Sequence, residues 1–122
     1  MDKSQAIDAF WNRFNIPAYD ESTVPDDAAI PRITYNIETD SFDNVVSLNA
    51  SLWYRTKSWE EISKKAEEIG EYIVKMNPPT IKIDNGRLYI TKGTPFAQRM
   101  TDPDDSIRRI YLNIQAEFLT AY

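Results

Sequence analysis

The sequence contains no cysteine and no histidine, and only three glycines among its 122 residues. Without cysteine, no disulfide holds the fold and no thiol is available as a nucleophile, so cysteine usage says nothing about redox compartment. Without histidine, the commonest general base and the commonest zinc ligand are both missing. The glycines, Gly70, Gly86 and Gly93, are scattered, which excludes a glycine-rich phosphate cradle. No G-x-S-x-G elbow is present either. No apolar run approaches the length of a membrane span, so no membrane partner is expected. Met1-Asp2-Lys3-Ser4 lacks a basic segment followed by an apolar one, so no secretory signal is expected. Asn49-Ala50-Ser51 matches a glycosylation acceptor, but it lies within a strand pattern and reads as chance.

Carboxylates remain as candidates for chemistry. The densest group is Asp102-Pro103-Asp104-Asp105. Paired carboxylates can serve as acid and base in glycoside hydrolysis. This group, however, falls in an expected loop just ahead of a strand and reads as a solvated turn. A second group, Asp20, Glu21, Asp26 and Asp27, lacks the turn glycine and terminal glutamate of a calcium loop. No catalytic, metal or cofactor-binding residue is assigned, and no enzymatic activity is expected.

Hydrophobic residues make up 42% of the chain and charged residues 27%, the balance of an ordinary globular protein. The length fits one domain over residues 1–122, with enough chain to bury a core unaided. Net charge is −5, unevenly spread. Residues 1–43 carry nine acids and three bases, residues 44–101 six acids and nine bases, and residues 102–122 four acids and two bases. An acidic chain argues against tight nonspecific nucleic-acid binding, which depends on neutralising phosphates. The split permits an acidic surface on one copy to meet a basic surface on another.

The pattern is organised around residues 45–76. Val46, Leu48, Ala50, Leu52 and Tyr54 alternate with Ser47, Asn49, Ser51, Trp53 and Arg55, the period of a strand with one buried face. Ser58 then opens a helix, with Glu61 placed three residues on for a capping box. Ile62, Ala66, Ile69, Ile73 and Met76 form its apolar stripe, and Pro78-Pro79 ends it.

Upstream, residues 4–14 read as a first helix with Ile7, Phe10, Trp11 and Phe14 as core anchors. A loop follows over 16–31, then a strand over 32–38 and a turn over 40–44. Downstream, strands over 80–84 and 87–91 flank a hairpin signal at Asp84-Asn85-Gly86. A second loop over 93–105 leads to a last strand from residue 107. The expected fold class is α+β: a mainly antiparallel five-stranded sheet with two helices packed on one face, in the order α-β-β-α-β-β-β. The other sheet face would be polar, little charged and dotted with Trp53, Tyr89 and Tyr111. Such a face suits a subunit interface. It could also stack bases as RNA-recognition modules do, although the element order differs and their signature motif is missing.

Several segments resemble a known family. Ile16-Pro17-Ala18-Tyr19-Asp20-Glu21, Thr23-Val24-Pro25-Asp26-Asp27-Ala28 and Pro31-Arg32-Ile33-Thr34-Tyr35 are similar to the tail terminator (tail completion) proteins of long-tailed bacteriophages and prophages of Gram-positive hosts. Leu52-Trp53-Tyr54-Arg55 and Ser58-Trp59 extend the likeness. The family often places an aromatic where Arg32 stands here. The resemblance implies a virion structural protein, assembled in the host cytoplasm, without cofactor or catalysis. It implies a homo-oligomeric ring, a hexamer, at the head-proximal end of the tail tube. Such a ring stops tube polymerisation and forms the head–tail joining surface. The implied partners are further copies of the chain, the tail tube protein, head–neck connector proteins and genomic DNA passing through the lumen. A different neck or head–tail connector role is the nearest alternative. Tyr19, Phe42, Phe96 and Met100, apolar residues on expected loops, are the candidate subunit or tube contacts.

Overall fold

The computed structural model describes residues 1–37 and 45–120. The expected turn over 40–44, with Phe42, lies outside the described residues. Helix α1 spans Lys3–Trp11 and is followed by β1 (Ala18–Asp20), β2 (Arg32–Tyr35) and β3 (Val45–Arg55). Helix α2 (Glu60–Met76) precedes β4 (Thr80–Ile83), β5 (Gly86–Met100) and β6 (Ile107–Thr120). The class is α+β, with two helices and one sheet in the order β1-β2-β3-β6-β5-β4. Four of the five pairings are antiparallel; β1 and β2 are parallel.

The sheet therefore has six strands and is mixed, not five and antiparallel, and the chain order is α-β-β-β-α-β-β-β. Residues 18–20 supply the extra strand inside the expected first loop, where Pro17 and acidic neighbours hide three residues of extended chain. The expected second loop is mostly strand, since β5 continues to Met100. Its polar sequence there gave no period of two.

One core joins the elements. Ile110, Leu112, Ile114, Ala116 and Phe118 of β6 are buried, as are Leu48, Ala50 and Leu52 of β3. The α2 stripe of Ile62, Ala66, Ile69 and Ile73 is buried against them, while Met76 is half-exposed past the end of the stripe. The sheet curls enough that α1 touches both β1 and β4, its two terminal strands. Among the described residues, no helix is long and apolar enough to cross a membrane.

The helix ends differ from expectation. Ser58 and Glu61 form no capping box; the Ser58 hydroxyl oxygen accepts from the Glu60 N–H at 3.1 Å, and the N-cap of α2 is Trp59, one residue later than the pattern suggests. The box belongs to α1. There the Asp2 carboxylate accepts from the Gln5 N–H at 2.8 Å and the Gln5 side chain accepts from the Asp2 N–H at 2.9 Å. Asn77, left-handed at φ 47°, closes α2 ahead of Pro78. In the β4–β5 hairpin the two-residue connection is Asp84-Asn85, with Asn85 left-handed at φ 61°, and Gly86 already pairs with Ile83.

Tyr35 ties the sheet to α1. Its hydroxyl donates to the Asp8 carboxylate, and burial, with Asp8 and then Asp20 nearby, pushes its pKa well above the usual value of 10. Because the folded-state pKa lies above the unfolded one, this contribution to stability is whole below pH 10 and is lost progressively as pH rises beyond it. Urea unfolding from pH 8 upward should show stability falling above pH 10, and Tyr35→Phe should remove that part of the fall.

Candidate assembly surfaces

The far half of β5 is displaced by an irregularity. Lys92 pairs with Ile114, but the next pair along β6 is Ala97 with Leu112. Residues 93–96 thus oppose Asn113 alone, three more than regular pairing allows. Gly93 makes this geometry possible: a Cβ there would lie 2.8 Å from the Asn113 Cβ and 3.0 Å from its carbonyl oxygen. The Asn113 side-chain amide donates to the Pro95 carbonyl at 2.9 Å and holds the displaced segment.

The displacement presents Phe96 to α2. A Cβ on Gly70 would lie 3.1 Å from the Phe96 ring and 3.2 Å from the Lys92 Cε. The helix tolerates this buried glycine at a cost of about 1 kcal/mol relative to alanine, and the close approach is what it obtains. The Lys92 ammonium stands 5.2 Å from the Phe96 ring centroid.

Beside this contact runs an open groove of about 770 Å³. One wall is α2, with Glu67, Gly70, Glu71, Val74 and Lys75; the other is β5, with Lys92, Phe96, Ala97 and Arg99; Ile110 contributes to the floor. Val74 is 61% exposed, an apolar side chain left without cover. The same stretch of β5 has a free edge. β4 pairs only as far as Tyr89, and the last hydrogen bond across is from Ile90 N–H to the Pro79 carbonyl at 3.2 Å. Beyond it, residues 91–100 have no strand on that side among the described residues.

The opposite edge of the sheet is closed. The Asn12 side chain accepts from the Ala18 N–H at 3.0 Å and donates to the Ala18 carbonyl at 3.2 Å, so a carboxamide occupies the position a further strand would take. Past β1 lies the acidic segment over 20–27. Its ends are fixed by the Glu21 N–H to the Tyr35 carbonyl at 2.8 Å and by Arg32 to the Ala28 carbonyl at 2.9 Å.

The open sheet face is preorganised. Trp53 donates through its indole N–H to the Thr34 hydroxyl at 2.9 Å. Arg109 donates to the Ser51 hydroxyl at 3.0 Å, and its guanidinium carbon lies 4.7 Å from the Trp53 ring and 5.9 Å from the Tyr111 ring. On the helix side of the sheet, Trp59 is flanked in the same way by Arg99 at 4.7 Å and Arg108 at 5.5 Å. With arginines already on these rings, less aromatic surface is left for stacking bases.

The Asp102–Asp105 group forms the β5–β6 turn. The Asp104 carboxylate accepts from the Ser106 hydroxyl at 2.7 Å and from its N–H at 2.9 Å, and these bonds lower its pKa below the usual value. Asp104 and Asp105 also face Arg55 and Lys57 at 3.9 and 3.8 Å. Among the described residues no cluster of three or more carboxylates could hold a metal ion.

The candidate contacts fall on two edges. Tyr19 is half-buried on β1, opposite Thr34. Phe96 is half-buried in the groove, and Met100, 38% exposed, ends β5 opposite Arg109. Three strands separate Tyr19 from the other two, and Phe42 lies outside the described residues. Sequence reasoning missed Gly70, Gly93, Lys92 and Asn113 as the residues that shape the groove. The signal was Gly93 with Pro95 inside a strand, a combination that marks a displaced register. No family model matches the chain, and no curated protein matches it.

Proposed function

We propose that the chain is a phage tail terminator: a structural protein that assembles into a ring, hexameric as in the family it resembles, on the head-proximal end of the tail tube. The observation that carries this reading is the presence of two dissimilar surfaces at the two edges of one sheet. A ring closed by rotation uses head-to-tail contacts, so each copy needs two different, mutually complementary patches. An acidic segment beside a closed edge and a groove beside an open edge supply such a pair. The likeness of residues 16–59 to tail terminators names the assembly. The net acidic charge suits a lumen through which DNA slides without being gripped. Catalysis has no part in the role, and a connector elsewhere in the neck would use the same surfaces.

The test is to mix purified protein with polymerising tail tubes and image them by negative stain. Tubes capped at one end, with growth arrested, are the expected result. Tubes of unchanged length with bare ends would refute the terminator role. Met100→Ser should reduce capping while leaving the far-UV circular dichroism and the urea midpoint unchanged, since Met100 is exposed at the end of a strand.

A further inference from the structure

We propose that the groove between α2 and the far half of β5 receives the acidic segment over residues 20–27 of a second copy of this chain. The inference deepens the ring reading above and rests on it for closure into a ring. Four observations carry it.

The groove has an apolar floor and an uncovered Val74, so it gains by being filled. Its strand wall runs along the free edge of β5, whose backbone groups have no strand partner there among the described residues and can bond a segment laid beside them; the segment offered is folded into turns by the Thr23 N–H to the Asp20 carbonyl at 2.9 Å and the Ala28 N–H to the Pro25 carbonyl at 3.1 Å. The groove cations Lys92, Arg99 and Lys75 lack acidic partners among the described residues. Lys92 and Arg99 rest on the rings of Phe96 and Trp59. The segment is the matching surface. Residues 16–31 hold Asp20, Glu21, Asp26 and Asp27 and no lysine or arginine.

Glu67 and Glu71 on the helix wall decide the orientation. On that wall they outnumber the single cation Lys75, whereas the strand wall carries only the cations Lys92 and Arg99, so the segment lies against β5 and not against α2. Asn12 closes the neighbouring strand edge, so the contact runs through the segment and not through pairing of β1 with β5. Fixed at both ends, the segment is held in place before it docks, which lowers the cost of ordering it.

The test uses charge reversal on each side and on both. Lys92→Glu with Arg99→Glu changes the groove; Asp26→Lys with Asp27→Lys changes the segment. Self-association is read by sedimentation and native mass over a concentration series, alone and on tail tubes, with circular dichroism confirming that each variant is folded. Each double variant should weaken association by about tenfold or more. The fourfold variant, with the charges exchanged, should return to within about threefold of the original. A double variant that associates normally, or a fourfold variant as weak as either parent, overturns the inference. So does a groove variant that loses tube capping with self-association unchanged, because the groove would then belong to the tube protein. Capping that is unaffected by all three variants refutes this contact and leaves the terminator role standing. Rings that respond to charge reversal but never cap tubes refute the role and leave the contact.

Discussion

Replacing Phe10 with alanine is expected to destabilise the protein by about 3–5 kcal/mol. Phe10 is fully buried, and its ring centroid lies 4.9 Å from that of Trp11, 5.5 Å from Phe14 and 6.4 Å from Tyr72. The first two contacts are near-perpendicular, the favourable edge-to-face arrangement. Tyr72 belongs to α2, so the Phe10 ring is where the two helices meet above the sheet. Truncation removes the transfer energy of a whole aromatic ring. The cavity it leaves has stiff walls, because the neighbouring rings lack the freedom to collapse into it. Phe10→Leu keeps most of the volume and should cost about 1.5 kcal/mol or less. Urea titration checks both, with a lower midpoint and an unchanged slope as the mark of lost stability alone.

The second large effect is expected at Gly93. In Gly93→Val the new Cβ would start 2.8 Å from the Asn113 Cβ and 3.0 Å from its carbonyl oxygen, and neither can retreat without moving β6. The cost should be about 2–3 kcal/mol, at the upper end of overpacking penalties. Gly70→Ala is the contrasting case. Its neighbours are the Phe96 ring at 3.1 Å and the end of the Lys92 side chain at 3.2 Å, both free to turn outward into the groove. The helix gains about 1 kcal/mol from alanine, so the two effects nearly cancel and the urea midpoint should barely move. An equal loss at both positions would show that Phe96 and Lys92 are as unable to give way as β6.

How much of this was readable in the sequence follows from which forces wrote it. The β6 residues from Ile110 to Phe118 and the α2 stripe were legible because burial imposes a period, and every apolar side chain there obeys it. The buried side chains of α1 were legible for the same reason. β1 was not: three residues are too few to show a period, and what makes them a strand is β2 beside them and the Asn12 side chain beyond. The far half of β5 was not, because Ala97 and Arg99 point toward the helix side at a place α2 leaves open, so nothing selects apolar residues there. The capping boxes show the limit of a local rule. Ser58 and Glu61 have the right spacing and form none, because α2 is capped one residue on by Trp59 in a helical conformation, while Asp2 is extended ahead of α1 and forms the box with Gln5. Of the candidate contacts, Phe96 was found as an unusual apolar residue in a polar stretch. The glycine opposite it and the lysine over it become meaningful only once α2 and β5 are side by side.

The carboxamide of Asn12 has a consequence for aggregation. Fibrils built by stacking sheets edge to edge need every unit to offer two open borders, one to join and one to be joined. Here a side chain from the end of α1 already fills the donor and acceptor positions at Ala18, so a sheet that meets this border finds those two positions taken in a strand of three residues. Copies can therefore be crowded together on a shared scaffold without an open-ended route to fusion through that side. Two hydrogen bonds from one amide make the molecule directional, and direction is what separates a closed assembly from a runaway polymer.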